Sequence, residues 1–154
     1  MNLRRQAAAG KRRRSSLEET VFLEILRTGE ALSHPVAQLL KVEDLSPAQY
    51  NVLRILRGAP EGLTCGEIGN RLVTRDPDIT RLLDRLEKRG LIARQRGGED
   101  RRVVLTRIEQ DGLELLARLD EPVRALHRGL LGHLGAEQLR TLAELLEACR
   151  SEPA

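Results

Sequence analysis

Positive charge is concentrated in one internal stretch of this 154-residue sequence. Residues 71–107 contain eleven basic and six acidic side chains, whereas residues 15–70 and 108–154 are both acidic on balance. Most of the basic side chains in the stretch are arginines. A planar guanidinium can bind a phosphate, or the edge of a guanine, through two parallel hydrogen bonds. The stretch would also attract a polyanion over long range, so its chemistry suits binding to nucleic acid.

A helix is expected to position several of these arginines. The apolar side chains that recur every three or four positions define one helix face: Ile79, Leu82, Leu83 and Leu86. The charged side chains of the opposite face are Asp78, Arg81, Arg85 and Lys88. We predict that Asp76 caps this helix, that Pro77 is its first residue and that Gly90 ends it. About 13 residues would make a rod roughly 20 Å long, which fits a major groove.

A β-hairpin is predicted directly after this helix. Its strands would be residues 91–96 and 101–108, joined by a turn at residues 97–100. Arg101 and Arg102 lie at the tip of the hairpin, where arginines could reach a minor groove beside the helix. A helix of this kind with a flanking hairpin is a winged helix-turn-helix, and the sequence therefore predicts a DNA-binding protein.

Two capping boxes predict the helices that precede the basic one. Residues 46–49 (Ser-Pro-Ala-Gln) would begin a helix that runs to about Arg57. Residues 64–67 (Thr-Cys-Gly-Glu) would begin another, which ends near Leu72. Only residues 73–75 then separate this helix from the cap of the basic helix. Such a short connection is expected inside a helix-turn-helix.

Leucine-rich helices are predicted on both sides of this unit. The first would run from residue 16 to about Leu32, and residues 33–35 (Ser-His-Pro) would separate it from a second, shorter helix. After the hairpin, a long helix would be kinked or restarted at residues 120–122 (Asp-Glu-Pro). A last helix would cover residues 136–150, after a break at glycines.

The flanking helices contain more leucine than one small DNA-binding unit needs. We therefore predict that residues 16–45 and 109–150 form the interface of a homodimer. The fold class is then mainly α with a small β-hairpin wing, and residues 46–108 form the winged helix-turn-helix. Together these segments form a single domain of residues 16–154.

The composition excludes several other classes of protein. Hydrophobic residues make up 40% of the chain and charged residues 32%, which is typical of a folded helical protein. No apolar run approaches the roughly 18 residues that span a membrane, and the N-terminal residues lack the apolar segment of a signal peptide, so no signal peptide is expected. We therefore predict a cytoplasmic protein without membrane contact. Residues 1–15 are expected to be a disordered basic arm, and whether this arm contacts DNA is left open.

Four segments, in order and spacing, resemble the MarR family, the multiple-antibiotic-resistance-type repressors. Residues 45–53 resemble the family pattern LTxxQxxVL, and residues 63–72 resemble LTxxELAxxL. Residues 79–92 are similar to the recognition-helix pattern VTRLVDRLExxGLV, and residues 100–102 match the DxR of the wing tip. The resemblance implies a homodimeric regulator, expected to be a repressor, that binds a pseudo-palindromic operator and is released by a small-molecule or oxidant signal.

The resemblance also implies roles for individual residues. Arg81 would contact DNA from the recognition helix, Arg102 with Arg101 would contact a minor groove or a phosphate, and Asp100 would orient the wing arginines. A carboxylate that orients a guanidinium in advance lowers the entropy cost of binding. A solvated helix face is the alternative explanation for Arg81 and Arg85. The complete set expected to contact DNA is Thr74, Arg75, Asp78, Thr80, Arg81, Arg85, Arg101 and Arg102.

Members of this family commonly respond to small aromatic acids, oxidants or metals. A pocket for a small aromatic or phenolic ligand is predicted near Phe22, His34 and Tyr50. Cys65 is a candidate redox residue because the first turn of a helix can lower the pKa of a thiol, although an inert thiol is the interpretation we favour. The histidines show no metal-ligand spacing, so no metal site and no cofactor are predicted.

Two other classes of function compete with DNA binding. No pairing of a nucleophile with a base, no glycine-rich phosphate loop and no pair of catalytic carboxylates stands out, so an enzyme is not predicted. A winged helix that binds only other proteins is the remaining alternative. Arginine on both the helix and the wing tip favours DNA over this alternative, because a protein-binding winged helix needs no polycationic surface.

Overall fold

Helices form most of the part of the chain that the structure describes, and a β-hairpin interrupts them. The computed structural model describes residues 15–97 and 103–151. The helices within those residues are α1 (Leu17–Lys41), α2 (Pro47–Arg57), α3 (Cys65–Arg71), α4 (Ile79–Lys88), α5 (Gln110–Leu131) and α6 (Gly135–Ala148). The strands are β1 (Ile92–Arg96) and β2 (Val104–Ile108), and a 3₁₀ turn, Gly132–Leu134, separates α5 from α6. Residues 1–14 of the predicted basic arm lie outside the described residues.

The two capping boxes are confirmed. The Ser46 hydroxyl accepts a hydrogen bond from the Gln49 backbone N–H at 3.1 Å, and the Gln49 side chain accepts one from the Ser46 N–H at 2.9 Å. Thr64 and Glu67 make the same reciprocal pair at the start of α3. Each box satisfies backbone donors that the first turn of a helix leaves without partners. Both helices therefore begin where the local sequence predicted.

The predicted interruption of the first helix at Pro35 is wrong, and the helix after the hairpin does not restart at Pro122. α1 continues through Pro35, and α5 continues through Pro122. A proline in a helix removes one backbone hydrogen bond and usually kinks or breaks the helix. Here the turns that follow are held by tertiary packing: Leu40 at the end of α1 is fully buried, and Val123, directly after Pro122, is 4% exposed. Burial of these side chains offsets the missing hydrogen bonds.

The hydrophobic core forms where α2 meets α4 and α5. The fully buried side chains of α2 are Val52, Leu53 and Leu56, and those of the surrounding elements include Ile68, Leu86, Ile92 and Leu116. Each large aliphatic side chain buried here contributes about 1.5–3 kcal/mol. α2 is therefore the support against which the basic helix and the long helix α5 both pack.

The hairpin is attached to the helix-turn-helix along its second strand. β1 and β2 are antiparallel, with Ile92 opposite Ile108 and Arg96 opposite Val104. On the other edge of β2, Leu63 exchanges two backbone hydrogen bonds with Thr106, of 3.0 and 2.8 Å. Leu63 directly precedes the cap of α3, so these two bonds attach the wing to the start of α3.

None of the helices in residues 15–97 and 103–151 is long and apolar enough to cross a membrane.

Candidate nucleic-acid interface

The basic helix α4 begins two residues later than the sequence predicted. Asp78, and not Asp76, is its N-cap, and the Asp78 carboxylate accepts a hydrogen bond from the Arg81 backbone N–H at 3.3 Å. The Asp76 carboxylate instead accepts a hydrogen bond from the Asp78 N–H at 2.8 Å, which closes a local turn that contains Pro77. The prediction was wrong because this turn competes with the helix. With 10 residues, α4 is about 15 Å long.

Gly90 ends α4 as predicted. Its φ is +70°, a left-handed conformation that costs glycine little. The Gly90 N–H donates to the Glu87 carbonyl at 2.9 Å, and the Leu91 N–H donates to the Leu86 carbonyl at 3.1 Å. This pair of bonds is a Schellman motif. It turns the chain sharply from α4 into the first strand of the wing.

The two faces of α4 differ as their sequence predicts. Leu82, Leu83 and Leu86 are at most 8% exposed and pack into the core. The predicted DNA contacts on the opposite face are all exposed: Asp78, Thr80, Arg81 and Arg85. One nitrogen of the Arg81 guanidinium lies 3.9 Å from an Asp78 carboxylate oxygen, with both side chains more than half exposed. An exposed contact of this length is weak, so the Arg81 guanidinium is free to bind another group.

The connection between α3 and α4 contains two further predicted contacts. Thr74 and Arg75 are both exposed, four and three residues before the Asp78 cap respectively. Just before them, the Val73 backbone N–H donates to the Asn51 side-chain oxygen of α2 at 2.9 Å. This bond fixes the connection to α2, which supports Thr74 and Arg75 beside the start of α4.

A clamp between α4 and the wing was not predicted from the sequence. The Arg94 guanidinium of β1 donates to the Glu87 carboxylate through Nε at 2.9 Å and to the Asp84 carboxylate at 2.6 Å. The Arg94 backbone N–H also donates to Glu87, at 3.2 Å. The side-chain hydrogen bond from Arg94 lowers the pKa of Glu87 below its usual value. Arg94 thus joins the wing to the helix that it flanks.

The sequence does contain a pattern that would have found this clamp. Asp84 and Glu87 are three residues apart and therefore lie on the same side of a helix. Arg94 follows within the adjacent strand, seven residues after Glu87. This pattern indicates an internal ion pair: two acidic side chains lie on one flank of an otherwise basic helix, and an arginine follows after a tight turn. Without such a partner the two carboxylates would repel the phosphates of DNA.

Replacing Arg94 by Ala should loosen the wing and leave two carboxylates unpaired beside the DNA-binding face. We expect the backbone amides of residues 92–96 to exchange hydrogen at least tenfold faster, and DNA affinity to fall by about 1–2 kcal/mol. Hydrogen exchange by mass spectrometry and fluorescence anisotropy measure the two effects. Gln95→Ala, on the same strand, is the control; its exposed side chain accepts only one long hydrogen bond, from Arg107 at 3.4 Å, so this variant should change both quantities much less. Unchanged exchange in Arg94→Ala would contradict the clamp.

The predicted residues at the wing tip, Asp100, Arg101 and Arg102, lie outside the described residues. The strands approach the tip in register, and the Gly97 N–H donates to the Val103 carbonyl at 2.7 Å. The first strand was predicted at residues 91–96 and is observed at Ile92–Arg96, a difference of one residue. The roles of the three tip residues stay predictions.

The predicted ligand residues do not share one pocket. Phe22 lines a cleft of about 450 Å³ together with Cys149, whereas Tyr50 lines a different cleft of about 200 Å³ between α2 and α5. His34 is exposed and lines neither. α1 is one continuous helix, and the twelve residues between Phe22 and His34 separate them by about 18 Å. These three residues therefore do not meet within one chain, and the ligand site near them stays a prediction. Of the three, Tyr50 lies where the helix-turn-helix meets the flanking helices.

Cys65 occupies the first turn of α3, as predicted, and it is half-buried. α3 has only seven residues, and nothing in the described structure assigns a redox role to this thiol. Among the residues that the structure describes, no group of three or more histidine, cysteine, aspartate or glutamate side chains could hold a metal ion.

Three short helices, an exposed arginine face on the third and a hairpin clamped beside it together define a winged helix-turn-helix protein. Residues 43–103 match the family model described as the MarR family. The chain is similar to a MarR transcription factor from Planctomyces limnophilus whose crystal structure is known. The two sequences are 41% identical, the TM-score is 0.68, and the match covers 87% of this chain and 98% of that one. The chain belongs to the MarR family of transcriptional regulators.

Two further relatives agree with this assignment. A mutant of MarR from E. coli, solved in complex with operator DNA, is 26% identical with a TM-score of 0.78, over 89% of this chain and 100% of that one. The HTH-type transcriptional repressor IacR of Pseudomonas putida is 28% identical over 84% of this chain and 77% of its own length. All three of these relatives are regulators of transcription.

Proposed function

We propose that this protein binds a pseudo-palindromic operator as a homodimer and represses transcription from it. The observation that carries the proposal is the exposed face of α4, where Arg81 and Arg85 stand opposite a fully packed leucine face. The likeness to a MarR protein solved with operator DNA supports it. A solvated basic face alone would need neither the clamp at Arg94 nor a hairpin held beside the helix.

In this proposal α4 enters the major groove and the wing lies over the adjacent minor groove. The residues that would contact DNA from the helix-turn-helix are Thr74, Arg75, Asp78, Thr80, Arg81 and Arg85. Arg101 and Arg102 would reach the minor groove from the wing tip, with Asp100 orienting them. Direct reading of bases falls to Arg81, because a guanidinium can bind guanine through two hydrogen bonds.

The proposed dimer uses the flanking helices, residues 16–45 and 109–150, within one domain of residues 16–154. In a single described chain these helices expose large apolar side chains that the core does not use. Phe22 and Leu26 of α1 are 60% and 55% exposed, and Leu145 of α6 is 60% exposed. Contiguous exposed apolar surface usually marks an interface. A second copy of the chain would bury it and would also supply the second reading helix for a two-fold operator.

We further propose that a small aromatic or phenolic acid binds at the Tyr50 cleft and controls DNA binding. The Arg54 guanidinium lies over the Tyr50 ring, 5.9 Å from its centre, and has no carboxylate partner within the described residues. Arg57 lines the same cleft but is paired with Asp120 at 2.8 Å. The cleft has a volume of about 200 Å³, below the roughly 300–1,000 Å³ of pockets for larger ligands, which limits the proposed ligand to a single ring whose carboxylate Arg54 would bind.

The proposed function is tested with DNA fragments selected from genomic DNA by the protein itself. Because the two protomers are related by two-fold symmetry, the recovered site should be an inverted repeat with half-site centres about 10 base pairs apart. Arg81→Ala should weaken binding to this site by about 1–3 kcal/mol and weaken binding to random DNA much less. Arg71→Ala is the matched control and should bind normally, because Arg71 is an exposed arginine on α3 outside both proposed dimer segments and outside the proposed DNA contacts.

Two outcomes would contradict the proposal. A footprint that covers one asymmetric half-site with a single protomer bound would exclude the two-fold arrangement. Failure of the wild-type protein to bind any genomic fragment would favour the alternative, a winged helix that binds only other proteins.

A further inference from the structure

A second basic surface lies on the side of α4 away from the wing. It is a cleft of about 510 Å³ between the C-terminal half of α4 and the turn that joins α1 to α2. Its basic lining residues are Lys41, from the end of α1, and Arg85, Lys88 and Arg89 from the end of α4. Asp44 supplies the one carboxylate among the lining residues. We refer to this surface as the Lys41 cleft.

The positive charge of the Lys41 cleft is not neutralised internally. Within the described residues, none of its four basic side chains lies within 4.0 Å of a carboxylate oxygen. Arg89 does make two hydrogen bonds, but both acceptors are backbone carbonyls, of Asp44 at 2.6 Å and of Glu43 at 3.0 Å. A carbonyl carries no net charge, so Arg89 remains a full positive charge at the wall of the cleft.

The same two bonds fix the shape of the cleft. They attach the α1–α2 turn to the residue that caps the end of α4. Asp44 holds a left-handed backbone with φ of +52°, and the Leu45 N–H donates to the Leu40 carbonyl at 3.1 Å. Non-glycine residues adopt this conformation at some cost, and only where their surroundings hold them in it. The end of α1, with Lys41, is therefore held beside Arg85 and Lys88 before any ligand binds.

The Lys41 cleft and the wing lie on opposite flanks of α4. On the wing side of α4, Asp84 and Glu87 accept hydrogen bonds from Arg94. Arg85 and Arg89 project from a different side of the helix and line the cleft. A helix in a major groove has a phosphate backbone on each side. The wing would stand over one of these backbones, and the Lys41 cleft would face the other.

We infer that the Lys41 cleft binds a backbone phosphate of the operator, on the strand opposite the wing. This inference rests on the proposed function and adds Lys41 and Lys88 to the DNA-contacting residues. The contact would be independent of base sequence and would fix the depth and the angle of α4 in the groove. Lysine suits this role because its ammonium binds phosphate as a point charge, without the base-reading geometry of arginine.

The salt dependence of binding tests the inference. Binding constants for a selected fragment and for random DNA would be measured over a range of salt concentrations for wild type, Lys41→Gln and the double variant Lys41→Gln/Lys88→Gln. The proposed dimer has two Lys41 clefts, so loss of the phosphate contact in both protomers should lower the magnitude of the slope of log K against log salt by about 1.8, which is about 0.9 for each contact, on both DNAs alike. Arg71→Gln removes an exposed charge on α3 that lies outside both proposed dimer segments and outside the proposed DNA contacts; it is the matched control and should keep the wild-type slope.

Phosphate ethylation interference locates the contact on the DNA. Ethylation of a phosphate on the strand away from the wing should weaken wild-type binding and should have a much smaller effect on the double variant Lys41→Gln/Lys88→Gln. The inference would be overturned if both variants kept the wild-type salt slope and the wild-type interference pattern while the wild-type protein bound DNA normally. The proposed function would remain intact in that case. Absence of DNA binding by the wild-type protein would instead overturn the proposed function.

Discussion

Replacing Leu145 by Glu should make the protein monomeric and abolish its tight binding to the operator. Leu145 is 60% exposed in a single chain, so a carboxylate there costs the folding of one protomer little. In the proposed dimer the same carboxylate would be buried against apolar side chains of the partner, where an unpaired charge costs several kcal/mol. Two-fold symmetry applies that cost at two positions. The dimer should therefore dissociate at micromolar concentration.

Dissociation of the dimer removes one of the two reading helices from each complex. The gain from linking two binding units is typically 10²–10⁴-fold in affinity, and the affinity of the variant for the operator should fall by a factor of this size. Sedimentation velocity should show a species of 17.3 kDa, and fluorescence anisotropy should show affinity close to that for random DNA.

The control for this prediction is Val73→Glu. Val73 is 88% exposed, lies between α3 and α4, and is outside both proposed dimer segments. This variant should sediment as wild type does. A dimeric Leu145→Glu protein at micromolar concentration would remove α6 from the interface.

Replacing Gly112 by Ala should lower the free energy of unfolding by about 3 kcal/mol, a large value for the addition of one methyl group. Gly112 lies in the first turn of α5, where the helix passes over the beginning of the wing. A Cβ atom built on it would lie 2.4 Å from the Leu91 carbonyl oxygen and 2.8 Å from Cγ1 of Ile108. The Leu91 carbonyl cannot easily move away, because it accepts a hydrogen bond from the Glu109 N–H at 3.0 Å.

Urea denaturation followed by circular dichroism measures this decrease in stability. Gly66→Ala is the matched control, because Gly66 lies in α3 with no other atom within 4 Å of a Cβ at that position. In an open helical position alanine is favoured over glycine, so this variant should be as stable as wild type or slightly more stable. Equal stability of Gly112→Ala and wild type would show that α5 can shift relative to the wing.

The sequence alone determined the elements whose stabilising contacts join residues no more than about five positions apart. The Ser46 and Thr64 capping boxes each join residues three apart, and the Schellman motif at Gly90 joins residues up to five apart. The leucine face of α4 likewise depends only on the repeat of the helix. Such features need no partner from elsewhere in the chain, and the sequence therefore predicted α2, α3 and the end of α4 closely.

Tertiary structure decided the features that depend on distant partners. α1 and α5 pass through proline because Leu40 and Val123 are buried against other elements, and no local pattern contains that information. The clamp of Arg94 depends on a turn that brings a strand back onto α4, and the Lys41 cleft depends on bonds between Arg89 and a turn 45 residues earlier in the chain. The residue types that suit DNA were therefore set by the sequence, whereas packing between distant segments set the direction and the rigidity with which they are presented.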